Sequence, residues 1–190
     1  FLRQEFSSYV SPNLVEVIVD NPDGSVVAAQ HRECSFVFTD LAGFTTMVES
    51  LDPEDLRAIM SDYIDGMMNI VFEYNGTLDK IIGDALCIFF SAPIAQGDHA
   101  QRAVNCALEL DAWSRDYVTS MKEKGITFGK TRIGVNSGEV VVGNFGGSSI
   151  FDYTVYGDAV NTAARLESVN KQLGTNICIS GNTVEKCTNF

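Results

Sequence analysis

What the chain lacks narrows it first. No apolar run approaches the roughly 18–20 residues that a membrane-spanning helix needs. No signal-peptide pattern opens it, and it starts at Phe1, so the expectation is a cytoplasmic piece of a longer parent. Histidine is scarce: His31 and His99 stand alone, both expected at the surface, and offer no zinc cluster. The five cysteines (Cys34, Cys87, Cys106, Cys178 and Cys187) form no CxxC pair. Three of them lie in apolar runs, as reduced, buried thiols do. Positive charge is short too, with 13 Lys and Arg against 25 Asp and Glu, a net charge of −12. That excludes a general nucleic-acid binder or a binder of anionic membranes. It also means that a polyanionic substrate needs local cations, from a metal or from particular Arg and Lys side chains.

What is present is an ordinary globular composition, 45% hydrophobic and 20% charged over 190 residues. This fits one domain with a small appendage. Residues 1–30 read as a linker or transducer segment: two short helical pieces with Pro12 near the start of the second, an Asn21-Pro-Asp-Gly24 turn, and a short strand from Ser25 to Ala29. Residues 31–190 read as the main domain.

Its first strand is expected from Cys34 to Asp40 and a helix from Leu41 to Glu49. Asp52-Pro53-Glu54-Asp55 is a helix start with a cap, a proline at the first position and acids in the first turn. Apolar residues from Leu56 to Val71 then recur at helical spacing, and Asn75-Gly76 stops the run. Thr77–Ile82 and Ala85–Ser91 form a hairpin bent at Gly83-Asp84. A long helix follows to about Lys124. A further hairpin is expected, with Asn136-Ser-Gly138 joining Thr131–Val135 to Glu139–Gly143. Then come a strand from Phe151 to Tyr156, a helix from Gly157-Asp158 to Gln172, a strand from Asn176 to Ile179, and a last helical turn. This order gives an α+β fold: a ferredoxin-like βαββαβ core with an extra hairpin and a C-terminal extension. Helices cover one face of the sheet, and the other face needs a cover as well.

Two carboxylates stand out. Asp40 closes an apolar strand, and Asp84 sits at a hairpin bend. In a βαββαβ sheet these places can be neighbours, and two carboxylates with room for water and phosphate suit Mg²⁺ better than zinc. Gly43, Phe44 and Thr45 open a helix whose free N–H groups can receive an anion. Asn161 and Arg165 share one helix face, and Arg165 could stabilise charge on a phosphoryl centre. Gly125 to Thr131 imitates a P-loop, but it is one residue short and follows a helix instead of a strand.

Taken together the residues resemble the catalytic domain of class III nucleotidyl cyclases. The matching stretches are Phe38-Thr-Asp-Leu-Ala-Gly-Phe-Thr45, Asp79-Lys-Ile-Ile-Gly-Asp84, Arg132-Ile-Gly-Val-Asn-Ser-Gly138 and Asp152-Tyr-Thr-Val-Tyr-Gly-Asp-Ala-Val-Asn-Thr-Ala-Ala-Arg165. The resemblance covers residues 30–187. It implies a phosphorus–oxygen lyase that cyclises ATP or GTP by attack of the ribose 3′-hydroxyl on the α-phosphorus, releasing pyrophosphate. Asp40, Asp84 and the Leu41 carbonyl look like ligands of two Mg²⁺ or Mn²⁺ ions. The Phe44–Thr45 backbone looks like the phosphate-holding turn. Asn161 looks like the ribose-orienting residue and Arg165 like the transition-state cation. The resemblance further implies a head-to-tail homodimer with two shared sites, which would also cover the sheet's second face.

Lys80 and Thr154 match the family's base-reading positions. Lysine only donates, which suits adenine N1 and conflicts with the protonated guanine N1. The Thr154 hydroxyl can accept from the adenine 6-amino group or donate to guanine O6, so it is permissive. The expected activity is therefore adenylate cyclase, making cyclic AMP in intracellular signalling. The Lys/Thr pair resembles the bicarbonate-responsive subgroup. The family usually continues past the last helix with more strands and a triphosphate-binding lysine, which has no counterpart before Phe190. Residues 1–20 resemble the segment that couples such domains to upstream sensors. The rival readings are a guanylate cyclase, a nucleotide-binding regulatory domain without turnover, and a dimerisation module.

Overall fold

A computed structural model describes residues 12–190 apart from Asp23 and Ser148. The first of the two expected helical pieces lies outside the described residues. The second is α1 (Pro12–Asp20), whose Leu14 packs into a core of the main domain, so this segment is docked against it. A single 3₁₀ turn, Ser25–Val27, stands where a short strand was expected. Gly24 enters it at φ 71°, which turns the chain before any strand pairing can begin.

The sheet is built on β1 (Gln30–Leu41), which runs beside β4 (Thr131–Asn144) for its whole length. With β2 (Thr77–Ile82), β3 (Ala85–Phe90) and β5 (Tyr153–Tyr156), the strand order is β2-β3-β1-β4-β5. Its β4-β1-β3-β2 portion is the antiparallel ferredoxin-like order. The short β6 (Ile177–Ile179) pairs parallel to β4. The outer strands β2 and β5 also touch each other.

The expected extra hairpin between residues 131 and 143 is absent: β4 is one continuous strand. Asn136-Ser-Gly138 carries the residue types of a turn, but its side chains bond sideways. Asn136 Nδ2 donates to the Ala159 carbonyl at 2.9 Å, and Ser137 Oγ lies 2.6 Å from Ser35 Oγ. Twelve register pairs with β1 then hold the strand straight.

One core lies between the sheet and the helices α3 (Pro53–Glu73) and α4 (His99–Glu123), with Val37, Tyr63, Met67, Ile88, Leu110 and Val135 at its centre. This is the βαββαβ layer. The other face carries a second core containing Phe36, Phe89, Val140, Val155 and Ala163. Its cover comes partly from the chain itself, through α1, β5 and α5 (Asp158–Leu173). Glycine makes the last contact possible. A Cβ on Gly134 would sit 2.1 Å from the Ala163 carbonyl oxygen, so only glycine lets α5 lie flat on β4.

His99, expected at the surface, is buried at the start of α4. Its Nδ1 lies 2.7 Å from Ser35 Oγ and its Nε2 3.4 Å from Glu33 Oε1. Ser137 Oγ continues the chain of hydroxyls to Thr183, on the final helix α6 (Gly181–Val184). The histidine is inside because β1 presents Glu33 and Ser35 as polar partners there, which removes the usual cost of burying an imidazole.

Candidate active site

Asp40 and Asp84 do come together, and backbone register is the reason. β1 and β3 are antiparallel with Thr39 opposite Leu86, which sets the end of β1 beside the β2–β3 turn. The Asp84 carboxylate accepts from the Leu41 N–H at 2.7 Å. Burial raises the Asp84 pKa, and the neighbouring Asp40 charge raises it further. A cation beside Asp84 would relieve that hindrance to its ionisation.

Arg132 is the residue that sequence reading passed over. It lies directly across the β1–β4 ladder from Asp40, bonds it, and reaches Glu167 of α5 with its Nε at 3.1 Å. A signal was available: once β1 and β4 are paired antiparallel, an aspartate and an arginine fall opposite each other. Asp40 and Glu167 share this one guanidinium, and Asp84 stands beside Asp40 without it. Among the described residues no group of three or more His, Cys, Asp or Glu side chains is arranged to hold a metal ion. Two carboxylates, with water and phosphate oxygens completing the shell, is nonetheless the pattern Mg²⁺ favours, and the mutual repulsion of Asp40 and Asp84 fits it.

After Leu41 the chain turns through Gly43, at φ 75°, into α2 (Phe44–Ser50). The expected helix start at Leu41 is thus three residues late, because Leu41 remains in the ladder opposite Thr131. The turn is held by Ala42 N–H donating to the Lys130 carbonyl at 3.0 Å. Phe44 and Thr45 are the first residues of α2, beside the acidic corner.

A separate cleft of about 320 Å³ opens between β2, β5 and α5. Lys80, Asn161, Phe38, Tyr156 and Ala164 line it, together with Asp79. The ammonium of Lys80 is half exposed and lies 3.5 Å from Asp79 Oδ2. Thr154 is not in the wall; it is buried behind it, next to Val155, which does line the cleft. Arg165 is not in the wall either. It is mostly exposed and tied along its own helix, with Nη2 3.2 Å from Asp158 Oδ1 and 2.8 Å from Thr162 Oγ1. The structure therefore gathers the expected residues into two groups, the acidic corner and the cleft, and leaves Arg165 facing solvent.

The molecule is thus a ferredoxin-like sheet with an acidic strand end and a separate cleft between β2, β5 and α5. Residues 26–189 match the family model of the adenylate and guanylate cyclase catalytic domain, and the chain belongs to that family. It is 34% identical over 182 residues to adenylate cyclase 1 of Rhizobium meliloti, covering 96% of this chain and 27% of that relative. The chain thus spans about a quarter of that curated relative's length. Among solved structures it resembles the guanylyl cyclase Cya2 with TM-score 0.77 and 34% identity, over 85% of this chain and 81% of the other. It resembles the adenylyl cyclase CyaB from P. aeruginosa with TM-score 0.76 and 33% identity, over 84% and 82%. These two structures differ in named base and are equally near, so base choice has to be argued from the site.

Proposed function

We propose that this domain is an adenylate cyclase, converting ATP to 3′,5′-cyclic AMP and pyrophosphate. The observation that carries the reading is the juxtaposition of Asp40 and Asp84 at one sheet corner, on a chain that also presents Lys80 and Asn161 in a cleft. Asp40, Asp84 and the Leu41 carbonyl would hold two Mg²⁺ or Mn²⁺ ions. Bound there, the ions would polarise the ribose 3′-hydroxyl and the phosphate oxygens. The N–H groups that open α2 at Phe44 and Thr45 face the phosphates. Arg132, already placed between Asp40 and Glu167, adds a positive charge beside the same phosphates.

The cleft supplies recognition. Lys80 donates to adenine N1, and Thr154 stands behind the exocyclic edge. Asn161 orients the ribose. Arg165, free of the core and four residues further along α5, meets the charge that builds on the α-phosphoryl oxygens.

Within one chain the corner and the cleft are distinct groups, which supports a head-to-tail homodimer. The corner of each copy would then face the cleft of the other, giving two sites per dimer. Exposed Ile82 and Tyr156 line the cleft and suit such an interface. Upstream sensor domains in the parent chain and a bicarbonate response belong to the same reading. The test is a side-by-side assay with ATP and GTP in Mn²⁺, with the product identified by chromatography. Cyclic AMP is expected. Cyclic GMP would make the domain a guanylate cyclase, and binding without product a regulatory domain.

A further inference from the structure

Strand β2 is irregular at one position, Asp79. Leu78 pairs with Ile88 and Lys80 with Cys87, so Asp79 is the extra residue of a β-bulge. Bulges re-aim the side chains beside them. Leu78 packs into the helix-side core, and strict alternation would return Lys80 to that same side. The bulge sends Lys80 to the cleft instead.

The cost falls on Asp79. Its side chain is only 3% exposed, although it is a carboxylate. The groups that face it are all donors: the Thr154 hydroxyl, the Lys80 ammonium and the Cys87 thiol. Burial raises its pKa above the usual carboxylate value, and these three donors offset only part of that rise. Its Oδ1 is buried with no hydrogen-bond partner. An apolar side chain would fill the same space without that penalty, so packing alone does not account for an aspartate here.

The chemistry of Thr154 does account for it. A hydroxyl has one proton and two lone pairs. Once its proton is given to Asp79, Thr154 has only lone pairs to offer a ligand. Those lone pairs suit the 6-amino group of adenine and repel the 6-oxo group of guanine. We infer that Asp79 is a positioning residue for base selection: its buried carboxylate fixes the Thr154 hydroxyl as an acceptor and steadies Lys80, so the cleft takes a 6-aminopurine over a 6-oxopurine. This rests on the adenylate cyclase reading and deepens it, because a permissive hydroxyl becomes a selective one.

The test compares the wild-type chain with Asp79→Asn, Thr154→Val and the double variant. Two quantities are measured for each: kcat/KM with ATP and with GTP, and affinity for 3′-deoxy-ATP and 3′-deoxy-GTP, which lack the attacking hydroxyl. The amide of Asp79→Asn can donate to Thr154 and release the hydroxyl proton toward the base. The ATP-over-GTP preference should then fall by about tenfold in both measurements, the worth of one ordinary hydrogen bond. Thr154→Val should lower it by a similar factor, and the double variant should lose nothing more. An unchanged preference in the single variants, or an equal loss with both nucleotides, overturns the inference. If Asp79→Asn does not fold, Thr154→Val decides alone. Cyclic GMP from the wild type would overturn the adenylate reading. If the wild type turns over neither nucleotide, the 3′-deoxynucleotide affinities still decide the role of Asp79.

Discussion

The acidic corner and the base cleft are held in place by opposite means. In the corner, Asp40, Arg132 and Glu167 are fixed by ladder register and by α5, with side chains 30%, 15% and 7% exposed. Residues far apart in sequence are locked together, and each charge already has a partner. Lys80 in the cleft and Arg165 on the solvent side of α5 are half exposed or more, and their ion-pair partners, Asp79 and Asp158, lie on their own elements. The corner is preorganised by one chain. The cleft side chains are positioned but not engaged, which suits groups that close on a ligand brought by a second copy.

The largest expected effect breaks the corner. Asp40→Ala should abolish turnover in an ATP-to-cyclic-AMP assay while the domain stays folded, because Asp40 is a partly exposed strand-end residue outside both cores. Arg165→Ala should slow kcat by an amount on the order of 2–4 kcal/mol in the barrier, with nucleotide affinity little changed. Steady-state kinetics beside a binding titration check that split. If affinity falls as much as rate, Arg165 holds the ground state and the cleft does more than position.

A smaller effect tests what the two regions share. Helix α5 carries both Glu167 of the corner and Asn161 of the cleft, and Gly134 lets it seat. Gly134→Ala should cost roughly 1–3 kcal/mol of stability through the overpacked contact with Ala163, read by denaturant unfolding. Gly83, whose added Cβ would meet open space at φ +65°, should cost only about 1 kcal/mol on substitution by alanine.

The smallest effect lies away from both regions. Burial lowers the pKa of His99 in the folded state below its ordinary value of 6.5. The unfolded chain therefore takes up the proton more readily, and stability is lost as pH falls through that value. Against His99→Gln, the wild type should gain about 1 kcal/mol at pH 7.5, and the gain should shrink below pH 6.5. Melting temperatures at both pH values measure it; a gap that widens on acidification would mean the imidazole is held charged.

The order of the βαββαβ core was legible because each element carries its own period, as in α3, where residues from Ile59 to Val71 bury one face. The two carboxylates were legible because a strand end and a hairpin bend each mark a position on their own. Features that depend on pairing were not. Asn136-Ser-Gly138 reads as a turn until Ser35, Thr183 and Ala159 appear beside it. His99 reads as a surface residue until Glu33 and Ser35 are placed on one face of β1. Arg132 has no evident role until Asp40 lies across the ladder. The Asp79 bulge is invisible in a run that alternates no worse than its neighbours.

The central claim is that the corner of one copy and the cleft of another make one working site. Asp40→Ala and Asn161→Ala proteins, each inactive alone, should regain activity when mixed and allowed to exchange subunits. With random pairing the recovery should approach about a quarter of wild type, since half the dimers then hold one intact site out of two. No recovery, with subunit exchange verified by labelled chains, would contradict the account.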